Sequence, residues 1–175
     1  LAGHAADAWS MARHGAAQAA KFGAQAGYAA FFYPPPYLLV CLPLALMPYV
    51  VALAVWLGLT LAAWVAMLRA WVKATGAPAL GLLPLLSFPA VMMNAGHGQN
   101  GFLTATLMGA GALLQPARPW LAGVLFGSLV IKPQFGVLLP FYLLFARDWR
   151  CIVATGSTAV ALCLASLGAF GWPAW

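Results

Sequence analysis

The sequence predicts an all-α protein, a polytopic bundle of transmembrane helices preceded by an amphipathic helix lying at the interface. Three observations carry this. Of 175 residues 65% are hydrophobic and only 6% charged, with a mean hydropathy of +0.92, whereas a soluble domain carries roughly 25% charged residues to cover its surface. Aliphatic runs recur along most of the chain, joined by short connections in or beside which most of the basic residues stand. Ahead of them stands an Ala-rich stretch whose polar residues share one face. The net charge of +6, from eight Lys and Arg against two acids, is then a topological signal,. No basic cluster is present to bind nucleic acid, and no such partner is expected.

Residues 1–26 read as the amphipathic helix. His4, Asp7, His14, Gln18, Lys21 and Gln25 follow one another at helical spacing, with Trp9, Ala12, Ala16 and Ala19 largely elsewhere, a pattern that suits a helix lying on a membrane and not one crossing it. Residues 27–36 form an entry loop, GYAAFFYPPP, in which aromatic side chains favour headgroup depth and three prolines hold an extended lead into the next helix,. The bundle occupies residues 37–175. From Tyr37 to Val72 the chain is almost unbroken apolar sequence; as one helix it would measure ~54 Å, too long for a ~30 Å hydrocarbon core. A break is therefore expected near Met47-Pro48-Tyr49. Apolar segments follow at about 79–93, 101–115, 120–146 and 151–171, joined by KATGAPA, QPARP and ARDWR. Gly123 and Gly127 form a GxxxG pair that permits close helix packing,.

Cys41, Cys151 and Cys163 all lie in apolar runs without CxxC spacing, so they read as small core residues that imply no disulfide and no metal,. The chain opens at Leu1 without an initiator Met or a signal-peptide pattern and stops at GWPAW,. It is expected to be a fragment of a longer protein.

The positive-inside rule orders the crossings. Arg69, Lys73, Arg118, Arg147 and Arg150 all fall on the cytoplasmic side if 37–72 makes one net crossing, 79–93 returns, 101–115 crosses again, and 120–146 enters and comes back as two half-helices. Counting a full crossing for each half of 37–72 and one for 120–146 divides the same cations between the two sides. The first scheme places FFYPPP, GHGQN and the Lys132-Pro133 turn together toward the outer face.

Two polar features stand against this background. NAGHGQNGF, residues 94–102, sets Asn94, His97, Gln99 and Asn100 among three glycines between apolar runs. Polar groups at such a place need partners within the protein or water, because lipid offers none. Its glycines let backbone amides approach a ligand, and a helix starting at Gly101 would favour an anion; a polar loop with an N-terminal cap at Asn100 is the plainer reading. Lys132 stands mid-way along its apolar run in GSLVIKPQFGVLL, about twelve residues from either end, so neither half alone spans ~30 Å. The only acids are Asp7 and Asp148, neither inside an apolar run. A lipid phosphate, with Gln134 near it, would satisfy this ammonium; so would snorkelling or an acid elsewhere in a longer chain.

At FFYPPPYLLVCLPLALMPY, NAGHGQNGFLTATLMGAGALL and RPWLAGVLFGSLVIKPQFGVLLPFYLL the chain resembles glycosyltransferase family 87, integral-membrane enzymes of GT-C type related to polyprenol-phosphate-mannose-dependent mannosyltransferases. The resemblance covers nearly all 175 residues. It implies a multi-pass protein of the bacterial inner membrane. Its reaction would move a sugar, mannose first among candidates, from a polyprenyl-phosphate donor to a lipid or glycan acceptor on the extracytoplasmic side, with inversion. No cofactor is implied, and a divalent metal is left open. Substrate-binding roles fall to Lys132, Gln134, His97, Gln99, Asn100 and Tyr33. The acidic general base of the family belongs to the first extracytoplasmic loop, at a position expected upstream of Leu1; Asp7 does not match it. The fragment alone is therefore expected to be inactive. A transporter or channel for an anionic or lipid-linked substrate is the competing reading of the same polar residues, since a Lys at a broken helix also suits an anion pathway. A purely structural membrane subunit would leave Lys132 and GHGQN without a role.

Overall fold

The structure, a computed structural model, describes residues 4–23, 25, 27–77, 84 and 87–175. Among these the regular structure is entirely helical. The α-helices are α1 (Met11–Phe22), α2 (Pro36–Leu44), α3 (Tyr49–Thr75), α4 (Pro89–Gly96), α5 (Gly101–Leu114), α6 (Pro119–Gly127), α7 (Leu139–Phe145) and α8 (Trp149–Phe170). Short 3-10 turns cover Ala5–Trp9, Ser128–Ile131, Pro133–Phe135 and Trp172–Ala174.

The N-terminal stretch divides at Ser10, whose hydroxyl accepts from the Arg13 amide (3.4 Å) and caps α1,. The residues expected as one helix thus form a turn and a helix. Their polar face also turns partly inward: the Gln18 amide donates to the carbonyl of Ala29 (2.7 Å) and accepts from its N–H (3.0 Å), tying α1 to the entry loop.

The long apolar run breaks where the prolines require. α2 ends at Leu44 and α3 begins at Tyr49 after Pro48, whose ring suits the entry to a helix and not its interior,. Of the expected 79–93 segment, residues 79–83, 85 and 86 lie outside the described residues, and its last part enters α4. The run from 120 to 146 is two short legs, α6 with its 3-10 extension and α7, meeting at Lys132-Pro133.

α3 and α8 are long and apolar enough to cross a membrane. Their apolar side chains largely face outward, among them Leu59, Val160 and Leu164, which in a contiguous surface calls for lipid as the solvent. The buried core lies instead between the legs and α8, around Ala122, Phe126, Leu129, Leu143 and Cys151.

Contacts fix the directions. Trp56 Nε1 donates to the Gly98 carbonyl (3.3 Å), Trp64 packs on Phe102 (5.4 Å between centroids), and Trp71 Nε1 donates to the Gly109 carbonyl (2.9 Å). Positions rise together, so α3 and α5 run parallel. α6 and α8 are parallel for the same reason: a Cβ on Gly123 would meet the Cys151 carbonyl (2.6 Å) and Ala154, and one on Gly127 the Thr155 carbonyl (2.5 Å) and Thr158. The GxxxG pair is thus the contact surface that admits α8. At the opposite edge Tyr37, at the start of α2, meets Trp56 (6.4 Å between centroids). α2 rises from there, the chain turns, and α3 descends past it, placing Trp56 about 10 Å below the start of α3 at ~1.5 Å per residue.

Candidate functional site

At the level of Trp56 the broken helix tip, the GHGQN loop and the entry loop converge. Lys132 Nζ donates to Asn100 Oδ1 (2.9 Å) and lies over the rings of Phe135 (5.2 Å) and Tyr33 (5.9 Å). Asn100 is completely buried, and its Nδ2 has no hydrogen-bond partner. Hydrogen bonds and cation–π contact soften the cost of an ammonium in this place, but neither neutralises it. Among the described residues no carboxylate pairs with Lys132.

Tyr33 connects the cluster to its surroundings. Its hydroxyl donates to Gln99 Oε1 (3.1 Å), its carbonyl accepts from Trp9 Nε1 (3.0 Å), and its ring stacks at a tilt on Tyr37 (4.3 Å between centroids). Burial, with Cys41 nearby, pushes the Tyr33 phenol up from its ordinary range, so it stays a protonated donor at neutral pH.

Asn100 does not cap α5, because its side chain is turned to Lys132. Asn94 caps the helix instead, its Oδ1 accepting from the Gly101 amide (2.8 Å). A Cβ at Gly101 would run into that same carbonyl oxygen, so the glycine is required by close approach. Asn94 Nδ2, like that of Asn100, is buried without a partner. His97 is exposed and its Nδ1 faces the Met93 carbonyl (2.9 Å). Gln134 is exposed as well. No hydrogen bond joins His97 or Gln134 to Lys132 or Asn100; the structure brings together Tyr33, Gln99, Asn100 and Lys132. Among the described residues no three His, Cys, Asp or Glu side chains come together as metal ligands.

A second polar knot, which the sequence did not foretell, lies at the far end of α5, about 21 Å away at ~1.5 Å per residue. The Tyr142 hydroxyl donates to Gln115 Oε1 (2.8 Å), Gln115 Nε2 donates to Asp148 Oδ2 (3.1 Å), and Asp148 Oδ1 accepts from the Cys151 amide as the N-cap of α8. This knot brings Arg147 and Arg150 beside the end of α5, where Arg118 also stands. Arg69 and Lys73 occupy the last two turns of parallel α3. The five cations therefore gather at the end opposite Lys132.

Residues 31–175 match the profile of glycosyltransferase family 87. The chain belongs to glycosyltransferase family 87. No curated protein and no solved structure matches it at a significant level. The matched region contains both polar knots, both legs of the broken run and α8, and in this family-87 chain it begins two residues before Tyr33. The protein is accordingly a glycosyltransferase, and its two long apolar helices, largely unburied, suggest a membrane protein.

Proposed function

We propose that the Tyr33–Gln99–Asn100–Lys132 cluster receives the phosphate of a polyprenyl-phosphate sugar, mannose being the first donor to try, and that the sugar passes to a lipid or glycan acceptor at the extracytoplasmic face. One observation carries this reading. A cation recessed about 10 Å below the start of α3 has an amide oxygen as its hydrogen-bond acceptor and no carboxylate, beside an amide donor left unpaired,. Such a site awaits an anion with several acceptor oxygens.

In the transfer the acceptor oxygen forms a bond to the anomeric carbon as the bond from that carbon to the phosphate oxygen breaks. The electron pair leaves with the phosphate and the acceptor proton goes to a general base. Lys132 and the Asn100 amide would stabilise the charge gathering on the departing phosphate, the step at which fixed donors contribute most. The reaction so written uses no cofactor. The base is assigned to no residue of this chain, and Asp7 is engaged with Arg13 (2.7 Å).

The clustering of Arg69, Lys73, Arg118, Arg147 and Arg150 away from Lys132 supports an outward-facing site in a multi-pass protein, because basic residues are retained on the cytoplasmic side. The bacterial inner membrane is the proposed location. The test supplies the full-length protein in membranes with labelled polyprenyl-phosphate mannose and follows label into membrane glycolipid, with and without Lys132. Transfer that requires Lys132 supports donor and site together. Absence of transfer with every polyprenyl-phosphate sugar, from well-inserted protein given a range of acceptors, would overturn the donor assignment.

A further inference from the structure

Arg118, Arg147 and Arg150 stand on two connections that the fold sets side by side. Gly123 lies against Cys151 and Ala154, and Gly127 against Thr155 and Thr158, so each turn of α6 keeps step with a turn of α8. One turn further back, at ~3.6 residues per turn, Pro119 and Arg118 before it come beside residues 147–150. All three arginines are exposed. Asp148 stands among these cations and pairs with none of them. Its Oδ2 accepts from Gln115 Nε2 (3.1 Å) and its Oδ1 from the Cys151 N–H (3.1 Å). Among the described residues no ion pair engages Arg118, Arg147 or Arg150.

Arg147 is held there against the preference of its own backbone. Its N–H donates to the Leu144 carbonyl (3.0 Å) and the Asp148 N–H to the Leu143 carbonyl (3.2 Å), the paired bonds that close a helix on a left-handed residue, most often glycine. Here that residue is Arg147, with φ 52°, and no other non-glycine among the described residues has a positive φ. Glycine would make the same turn without the steric penalty of a β-carbon. The position carries a guanidinium instead. We infer that Arg118, Arg147 and Arg150 bind the phosphodiester headgroup of an anionic phospholipid, in the leaflet at the basic end of the protein. This site is separate from the Lys132 cluster and stands whether or not the donor reading does.

Charge and the aromatic rim select this occupant. Arginine presents a planar fork that matches two phosphate oxygens at once, and the single carboxylate of Asp148 leaves the surface with a positive excess. Trp120, Phe145 and Trp149 are exposed beside the arginines, and tryptophan at the end of an apolar helix settles at headgroup depth. A free phosphate would leave those rings in water. A phospholipid covers them with its glycerol and upper chains while its phosphate reaches the guanidinium groups. Phosphatidylcholine carries its own cation beside the phosphate and gains less from a basic surface than an anionic lipid does. The closed knot of Tyr142, Gln115 and Asp148 already fixes both connections, so binding has little backbone left to order.

The test reconstitutes the full-length protein in phosphatidylcholine nanodiscs that contain a minor share of phosphatidylglycerol, releases it into detergent, and counts the lipids it retains by native mass spectrometry. Phosphatidylglycerol is expected to be retained roughly tenfold above its share of the bilayer, as a few cations at an anionic headgroup supply. Joint replacement of Arg118, Arg147 and Arg150 by Gln should return retention to that share, and Lys132→Gln should leave it as in the wild type. Arg147→Gly separates binding from folding. Its thermal midpoint should stand at or above that of the wild type, because glycine suits the left-handed turn, while its retention falls roughly fivefold, one cation's contribution. Wild-type retention at the bilayer share, or undiminished retention by Arg147→Gly, overturns the inference. So does loss of the lipid in Lys132→Gln alone. Binding of glycerophosphate by the delipidated protein, with phosphatidylglycerol at its bilayer share, would assign the arginines to a soluble phosphate ester and overturn the lipid assignment.

Discussion

The two polar knots differ in one respect. At the basic end Tyr142, Gln115 and Asp148 satisfy one another, and the remaining carboxylate oxygen caps α8. At the other end Lys132 leans on a single amide oxygen while Asn94 Nδ2 and Asn100 Nδ2 stay buried and unpaired. Buried polar groups are ordinarily paired, and an unpaired one costs about 1–3 kcal/mol. A closed network is consistent with holding structure; an open one is consistent with holding something else.

That contrast can be broken in four ways. The severest is Gly127→Ile, which drives a branched side chain into the Thr155 carbonyl and Thr158 and separates α6 from α8. Both knots should fail together, and size-exclusion chromatography in detergent should yield no monodisperse protein; a folded variant would show that the GxxxG contact is dispensable. Next comes Lys132→Gln. Transfer should fall by about 10²–10³-fold, as for loss of one transition-state donor, with the thermal midpoint unchanged. A drop in both quantities would place Lys132 among structural groups and erase the distinction between the ends.

Gln115→Leu should behave in the reverse sense. It strands Asp148 Oδ2 and the Tyr142 hydroxyl, so denaturation should show a loss of about 1–3 kcal/mol, while initial rates per folded molecule stay within about twofold. Reduced rates in folded protein would give the basic end a functional share. The smallest effect belongs to Tyr33→Phe. Removing the bond to Gln99 Oε1 while keeping the ring over Lys132 should slow transfer by about three- to tenfold, the range for one hydrogen bond. No change in initial rate would limit Tyr33 to its aromatic contacts.

Much of the fold was legible because proline and glycine act locally. Pro48 marked the break between α2 and α3, Pro133 the division of the 120–146 run, and Gly123 with Gly127 the helix contact. The continuous helix over 1–26 was an overextension, since Ser10 is a better cap than helix interior,. In the site, Lys132 was conspicuous as an unpaired cation in apolar sequence. Its partner was not: Asn100 lies 32 positions away and read equally well as a cap. Gln115 was missed because its partners stand 27 and 33 positions off and the residue looks like an ordinary loop polar group after α5. Its one signal was Asp148, an acid close to a helix start. His97 and Gln134 stand within three positions of Asn100 and Lys132, yet both are exposed and His97 Nδ1 turns to the Met93 carbonyl, an orientation that sequence spacing does not disclose.

The short legs on either side of Lys132 also bear on biogenesis. Pro119–Ile131 and Pro133–Phe145 are each too short to hold a ~30 Å bilayer alone,, and the glycine groove that steadies the first leg closes on residues synthesised after both. A translocon would therefore find no self-sufficient stop in this stretch until α8 has emerged. Lys132 is expected to reach its depth late, as part of a loop drawn in by α8, and truncation before Trp149 should leave the hairpin open to proteases even where α3 is already inserted.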